Sequence, residues 1–374
     1  MEKKPNKTGK RVLQVIGAVV LVIILAVLGL FAVLTITEYK PEYSEKAAVD
    51  AAVEMPKPAE GEELTLLTWN IGYGALGAAT DFFMDGGTGV RTATKDEVGR
   101  NLQSIAAEIK ETDPDIIFLQ EVDRKSARSH KINEEETLVN ALNTASDLKY
   151  LSAFAYNYKT LFVPYPLPPL GRIEAGLLTL SDLGFDSFER IQLPCPFSWP
   201  VRLANLKRCL LINRIPVTDP NGNDTGKELV LVNLHLEAYD SGEGKAAQTA
   251  MLKEILEAEA AKGNYVIAGG DFNQTFSSVD DSMYPEYPDK WHCGEIDVSG
   301  FSGFEFLMDN TVPTCRSLDQ SYAEADKENF QYYMIDGFIV SDNLKVNSLE
   351  TIDLGFENTD HNPVVVSLTL TEHN

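Results

Sequence analysis

The sequence predicts a layered α/β or α+β sandwich that follows one apolar N-terminal helix. Strand-like apolar runs outnumber helical ones, and many are apolar on both faces, as in sheets covered on both sides. The helical runs between them are amphipathic, and residues 15–34 are uninterrupted apolar. These three observations separate a membrane-associated N-terminus from a globular remainder.

The charge balance limits the partners that the chain can bind. Its 374 residues include 32 basic and 56 acidic side chains, a net charge of −24, with ordinary hydrophobic (44%) and charged (24%) fractions. A surface this acidic repels polyanions, so tight non-specific binding to duplex nucleic acid would need a local basic patch. The visible basic cluster in the globular part is LKR at 206–208.

Four segments are predicted along the chain. Residues 1–11 form a basic tail, 12–36 a transmembrane helix, 37–62 a solvated linker and 63–374 the folded domain. A cleavable signal peptide is less favoured, because its apolar core is usually shorter and no small-residue cleavage site is evident. Basic residues before the span and acidic residues after it predict a single-pass protein of the cell membrane, with a cytoplasmic N-terminus and an extracytoplasmic domain.

The pattern after residue 63 predicts eight strands and three helices. The strands are LTLLTW (64–69), IIFLQ (116–120), GLLTLS (176–181), RCLLINRI (208–215), LVLVNLH (229–235), YVIAGG (265–270), DGFIVS (336–341) and VVVSLTL (364–370). The helices are 95–111, about 134–146, and 245–262. The first helix stops before Pro114, which cannot continue it.

The four cysteines do not have the spacing of a zinc site. Outside the cell, Cys195 with Cys209 and Cys293 with Cys315 are the nearest pairs for disulfides. Free, buried thiols are the equal alternative.

Side chains able to do chemistry occur where the predicted strands begin or end. They are Asn70, Glu121, His235, Asp271, Asn273, Asp336, Asp360 and His361. A single residue of this kind is more often a turn former or a cap, but six segments that share the feature indicate a common site. Carboxylate and amide oxygens without thiols suit Mg²⁺ or Mn²⁺, and histidines beside carboxylates suit acid–base work or phosphate binding. The set therefore predicts metal-assisted displacement at phosphorus.

Six ordered motifs resemble the endonuclease/exonuclease/phosphatase superfamily, which includes deoxyribonuclease-like and neutral sphingomyelinase-like enzymes. They are TWN (68–70), LQEV (119–122), NLHL (233–236), GGDFN (269–273), IDGFIVS (335–341) and TDH (359–361), and the resemblance covers about residues 63–371. It implies a four-layer α/β sandwich, with two packed mixed sheets flanked by helices and the site in the cleft between the sheets.

The resemblance also implies a role for each matched residue. Glu121 would be the principal ligand of Mg²⁺ or Mn²⁺, with Asn70 beside it and Asp360 nearby. Asp271 would orient or deprotonate water, and Asn273 would donate to the phosphoryl oxygens. His361, held by Asp336, would contact the phosphate or act as the base, and His235 would stabilise or protonate the leaving oxygen. The choice of base between Asp271 and His361 stays open.

Three further stretches are expected near the substrate. DGGTGVR (85–91) could offer backbone N–H groups and Arg91 to a phosphate, although a glycine-rich turn without a ligand is the alternative. LFVPYPLPPLGRIEAG (161–176) is expected at the cleft rim and carries Arg172 as a candidate phosphate contact. In AGGDFNQ (268–274), we expect the glycines to let phosphate approach the backbone, with Asp271 and Asn273 on one face.

The function that follows is that of a membrane-anchored, divalent-metal-dependent phosphoesterase. A phospholipid head group or a small phosphate ester is slightly favoured as the substrate. The alternatives are a cell-surface nuclease acting on DNA and, from another class, a non-catalytic surface protein that binds phosphorylated ligands. No protein partner is evident from the sequence.

Overall fold

The computed structural model describes residues 7–49, 55–143 and 148–371. Its helices are α1 Lys7–Ile36, α2 Lys95–Thr112, α3 Glu134–Leu142 and α4 Glu243–Ala260. Its strands are β1 Ser44–Ala48, β2 Glu63–Asn70, β3 Ile116–Asp123, β4 Leu151–Val163, β5 Gly171–Ser181, β6 Ser187–Gln192, β7 Cys209–Thr218, β8 Asp224–His235, β9 Tyr265–Asp271, β10 Gln274–Phe276, β11 Gly294–Ile296, β12 Phe304–Leu307, β13 Cys315–Arg316, β14 Tyr332–Tyr333, β15 Asp336–Ser341, β16 Leu344–Thr351 and β17 Val364–Leu370.

Two mixed sheets form the centre of the molecule. One has seven strands in the order β1-β6-β7-β8-β9-β15-β12, and the other has six in the order β16-β17-β2-β3-β5-β4. Large apolar side chains from both sheets, among them Phe118, Phe338 and Leu231, form one fully buried cluster. The core therefore lies between the two sheets, and the predicted sandwich is confirmed.

Helices cover the outer faces of the sheets. The stripe Val98, Leu102, Ile105 and Ile109 of α2 packs with strand residues of the six-stranded sheet, and Leu252 and Leu256 of α4 pack with the seven-stranded sheet. Thr94 and Glu97 form a capping box at the start of α2. The layers run helix, sheet, sheet, helix, as the family resemblance implies.

The linker and the terminal segments differ in part from expectation. Within the predicted linker, β1 pairs antiparallel with β6, so this piece lies on the sheet rather than in solvent. An edge strand offers unpaired backbone groups, which explains why a mostly exposed segment adds there. Most of the basic tail (1–6), residues 50–54 of the linker, residues 144–147 at the expected end of the second domain helix, and 372–374 lie outside the described residues.

One helix in the described part of the chain is long and apolar enough to cross a membrane. It covers Thr8–Ile36, and an 18-residue window within it has a mean hydropathy of 3.3. A helix of this composition near an N-terminus is a membrane span or a signal sequence.

A polar contact links the two sheets inside the core. The Gln120 amide donates to Asn233 Oδ1 (2.9 Å), and the Asn233 amide donates to the Leu178 carbonyl (3.0 Å). Both side chains are fully buried. Because Gln120 precedes Glu121 and Asn233 lies two residues before His235, this link fixes the register of both strands directly beneath their functional ends.

We expect Asn233→Ala to lower the free energy of unfolding by about 2 kcal/mol, because it leaves buried polar partners unpaired. Urea unfolding of the detergent-solubilised chain measures this. Asn347→Ala is the matched control: Asn347 is exposed and bonds to Ser367 and Thr369 on a neighbouring strand. Its effect should stay within about 0.5 kcal/mol. Equal effects of the two substitutions would contradict a stabilising link between the sheets.

Candidate active site

Three adjacent strands of the seven-stranded sheet place three functional side chains in one row. In the strand pairing, His235 at the end of β8 lies beside Asp271 at the end of β9, and Asp271 lies beside Asp336 at the start of β15. His235 Nε2 is 3.4 Å from Asp271 Oδ2. The row follows from the register, because β8 and β9 are parallel and β15 is antiparallel to β9.

The six-stranded sheet presents two further groups to this row. The Asn70 amide nitrogen, at the end of β2, lies 3.0 Å from Asp271 Oδ2 and 3.5 Å from Glu121 Oε1. Glu121 has φ 56°, and the β3–β5 register shifts between Leu119 and Val122. This bulge turns the Glu121 side chain out of the strand alternation and toward the cleft.

The turn before β17 completes the site. His361 Nδ1 donates to Asp336 Oδ2 (2.8 Å), which leaves Nε2 at 3.9 Å from Asp271 Oδ2 and 4.0 Å from Asp360 Oδ2. The turn is held in place because Trp69 Nε1 donates to the His361 carbonyl at 2.9 Å. All eight residues expected from the motifs, Asn70, Glu121, His235, Asp271, Asn273, Asp336, Asp360 and His361, thus converge on one end of the sandwich.

The conformation of the AGGDFNQ segment differs from the expectation at Asn273. A side chain on Gly269 would meet Phe338 and Phe118, and one on Gly270 would meet the Leu234 carbonyl, so the glycines permit close packing between strands and sheets. The expected approach of a phosphate to these glycines stays a prediction. β9 ends at Asp271, and Asn273 reaches the cavity through a left-handed turn (φ 51°) whose N–H donates to Asp271 Oδ1 at 2.8 Å.

Burial governs the protonation of the site. Burial and the neighbouring Asp336 carboxylate raise the pKa of Asp271 to about 7. Burial opposes a charge on His361, but Asp336 and other nearby groups outweigh it and raise its pKa well above the ordinary value. Burial and the Arg208 guanidinium lower the pKa of His235 well below its ordinary value. The pKa shifts of the two histidines therefore have opposite directions: upward for His361, from the neighbouring carboxylate, and downward for His235, from burial.

The donor set fits a hard divalent cation. Candidate ligand atoms of Asp271, Asp336 and His361 lie within 4.8 Å of one another, and burial together with Asp360 raises the pKa of Glu121. Carboxylates crowded in this way are relieved by a cation. Burial raises the pKa of the nearby Cys315 thiol to about 12, so it stays protonated and is a poor ligand. The four cysteines all lie in the described residues and are free thiols.

A cavity of about 530 Å³ opens over these side chains. The predicted rim segment lines it through Val163, Tyr165 and Leu170, but Arg172 on the same segment does not. Arg172 instead lies half-exposed on β5 and pairs with Glu174. The structure therefore does not bring this candidate phosphate contact to the site.

The DGGTGVR loop is bound by Asp81, which precedes it in the chain. The Asp81 carboxylate accepts the N–H groups of Thr88 (2.7 Å) and Gly89 (3.0 Å). These donors are therefore already used, and the turn without a ligand is the alternative that the structure favours. Arg91 is exposed and does not line the cavity.

Three arginines that sequence reasoning missed do line the cavity: Arg128, Arg208 and Arg316. Arg128 stacks on Tyr73, with 3.6 Å to the ring centroid, forms two 3.1 Å hydrogen bonds to Asp123 and lies 3.5 Å from Glu121 Oε2. Arg208 donates to the His235 carbonyl (3.1 Å) and pairs with Glu237 (3.3 Å). Arg208 belongs to the LKR cluster, which was the available signal, whereas nothing in the sequence around Arg128 points to the site.

Comparisons with known proteins agree with this fold. The model of the Endonuclease/Exonuclease/phosphatase family matches residues 67–351. An endonuclease/exonuclease/phosphatase from Beutenbergia cavernae is 19% identical with a TM-score of 0.54, and the match covers 83% of this chain and 72% of that one. A protein of the same description from Bacteroides vulgatus is 16% identical with a TM-score of 0.52, and the match covers 83% of this chain and 99% of that one.

The catalytic domain of human nocturnin, solved with a sulfate anion, is 15% identical with a TM-score of 0.47, over 88% of this chain and 97% of that one. No curated protein sequence matches the chain significantly. At these identities the structural likeness concerns the fold alone, and the family is shown by its sequence model. The chain belongs to the endonuclease/exonuclease/phosphatase family.

Proposed function

We propose that the protein is a membrane-tethered, divalent-cation-dependent phosphoesterase. The observation that carries the proposal is the row His235–Asp271–Asp336, which faces Glu121 and Asn70 of the opposite sheet across one cavity. Carboxylate and amide oxygens with a histidine beside them can bind a cation and a phosphate together.

In this proposal, Glu121, Asn70 and Asp360 hold Mg²⁺ or Mn²⁺, which when bound supplies positive charge to the phosphoryl oxygens. Asn70 Oδ1 accepts the Gly72 N–H (3.0 Å) and keeps a second lone pair for the cation. Arg128 orients Glu121 from behind. Two carboxylates and an amide oxygen make a ligand set that a hard cation prefers to thiols.

The remaining residues act on the water and the ester. Asp271 orients the attacking water and takes its proton, while one N–H of the Asn273 amide is free for a phosphoryl oxygen because the other donates to the Leu236 carbonyl (2.9 Å). His361, held by Asp336, contacts the phosphate and is the alternative base. As the water oxygen bonds to phosphorus, the ester P–O bond breaks and the leaving oxygen is protonated or stabilised by His235.

The tether is supported by contacts at the end of α1. Leu34 is buried, at 4% exposed, and Leu30 and Phe31 are half-buried, whereas the apolar side chains of residues 12–28 are exposed. Trp199 Nε1 donates to Thr35 Oγ1 at 3.2 Å. A helix that packs on the domain through its last turn suits a retained anchor better than a removed signal sequence.

Metal removal tests the proposal. Full-length protein in detergent is expected to hydrolyse bis(p-nitrophenyl) phosphate with Mg²⁺, to stop in EDTA, and to recover when Mg²⁺ is restored. p-Nitrophenyl phosphate, assayed in parallel, distinguishes diesterase from monoesterase activity. Equal rates with Mg²⁺ and with EDTA would contradict the proposal.

A further inference from the structure

The cavity extends beyond the catalytic groups, and its outer wall is apolar. Three segments that form this wall are residues 82–84, 163–170 and 200–206. Several of their large apolar side chains are exposed, with Met84 at 47% and Val201 at 54%. Apolar surface that continues from a polar reaction centre is typical of a binding site for an apolar part of the ligand.

The end of α1 forms part of the same wall. Phe31 and Leu34 line the cavity, and the Phe31 ring lies 6.0 Å from that of Trp199. A span that starts after Arg11 crosses a hydrocarbon layer of roughly 30 Å in about 20 residues. Phe31 and Leu34 therefore lie at the far boundary of the hydrocarbon layer, where the cavity wall begins.

Ion pairs join the segment that follows α1 to the cavity wall. The Glu38 side chain is 4% exposed and lies 3.2 Å from Arg202 Nε and 3.5 Å from Lys207 Nζ. Arg202 belongs to the 200–206 wall segment, and Lys207 follows it directly. The chain that leaves the bilayer is thus bound to the cavity wall, which holds the mouth of the cavity at the membrane surface.

The cations at the site do not suit a polynucleotide. Arg128, Arg208 and Arg316 line the cavity but are nearly fully buried, and each is bound to protein groups: Arg128 to Asp123, Arg208 to Glu237, and Arg316 to the carbonyls of Leu76 and Gly77. A polyanion would need exposed cations along its backbone. The described lining offers exposed apolar side chains instead.

We propose that the cavity binds a lipid phosphate ester taken from the membrane that α1 spans. The phosphate occupies the site between Glu121 and Asp271, and the hydrocarbon chain lies along the wall formed by residues 82–84, 163–170 and 200–206. The lipid enters sideways past Phe31 and Leu34 without leaving the apolar environment. This inference rests on the proposed phosphoesterase activity and membrane span, and it names the substrate class.

Photocrosslinking tests the chain-binding wall directly. The full-length Asp271→Asn variant is placed with Mg²⁺ in dioleoylphosphatidylcholine vesicles that contain phosphatidylcholine with a diazirine in the acyl chain. We expect adducts on α1 and also within 82–84, 163–170 and 200–206. Adducts confined to the first part of α1, residues 12–30, would overturn the inference.

Matched glutamate substitutions locate the site. Met84→Glu and Val201→Glu, in the same background, should each lower the adduct yield on residues 163–170 at least about tenfold, because a charge is placed in an apolar wall. Met283→Glu is the control, since Met283 is 65% exposed and lies outside the cavity. Equal losses in all three variants would count against a site at this wall.

The outcomes separate the two proposals. Wild-type turnover of bis(p-nitrophenyl) phosphate without cavity adducts would leave the hydrolase in place and overturn the lipid site. Cavity adducts without any Mg²⁺-dependent turnover would support the lipid site and contradict the hydrolase. Hydrolysis of a single-stranded oligonucleotide without cavity adducts would assign the cavity to nucleic acid instead.

Discussion

Asp271→Asn is expected to lower the kcat for bis(p-nitrophenyl) phosphate about 10³-fold, the range of a lost general base. Asp271 is 2% exposed and lies between Asn70, His235 and the Asn273 N–H, so its carboxylate is held in one orientation. Asparagine keeps the size and can still accept from Asn273, but it cannot take a proton from water. Initial rates at saturating Mg²⁺ measure the effect.

Asp297→Asn is the matched control for this substitution. The Asp297 carboxylate is exposed, accepts the Ser299 N–H (2.9 Å) and lies outside the cavity, and asparagine can keep that hydrogen bond. We expect wild-type rates for the control. The unfolding midpoints of both variants should equal that of the wild type within experimental error. A folded Asp271→Asn enzyme that retains most of its kcat would remove Asp271 from the proposed chemistry and leave His361 as the base.

Glu121→Gln is expected to raise the Mg²⁺ concentration needed for half-maximal activity by at least about tenfold, since even indirect changes at a metal site cost this much. The amide removes a negative charge from the proposed ligand set while keeping its shape. Arg128 would then lose one of its two carboxylate neighbours. Mg²⁺ titrations of activity, and calorimetric titration with Mn²⁺, report the change.

Glu174→Gln provides the comparison. Its side chain is also largely buried, but it pairs with Arg172 and does not line the cavity. The metal requirement of this variant should equal that of the wild type. If Glu121→Gln lowered kcat without any change in the metal requirement, Glu121 would act on the substrate rather than on the cation.

The contrast between Asp271 and Arg172 shows what sequence patterns can predict about such a site. Asp271 stands at the end of a buried strand, within an ordered set of motifs. Because the strands that carry His235, Asp271 and Asp336 are neighbours in the sheet, the three side chains lie side by side. Arg172 was proposed only because it lies in a segment expected at the rim. The segment does form the rim, but a strand alternates its side chains, and the Arg172 side chain pairs with Glu174 instead.

Long-range contacts set the parts that were missed. The strand β4 carries Asn157, Lys159 and two tyrosines among apolar residues, so its sequence pattern is weak, and it forms because β5 is available for pairing. Arg128 is held at the site by its contacts with Tyr73 and Asp123, and neither of these residues belongs to the six motifs. Local propensity carries no information on such partners.

The amino-acid sequence by itself determined the sandwich class, the family, the apolar N-terminal helix and the eight polar residues at strand ends. Hydrophobic periodicity and ordered motifs are local properties, so they can be recognised without knowing any tertiary contact. Only the tertiary structure decided that Gly269 and Gly270 serve packing, that Asp81 fills the glycine-rich loop, and that α1 ends against the cavity. Those facts depend on which distant segments meet, and that is set by the packing of the two sheets as a whole.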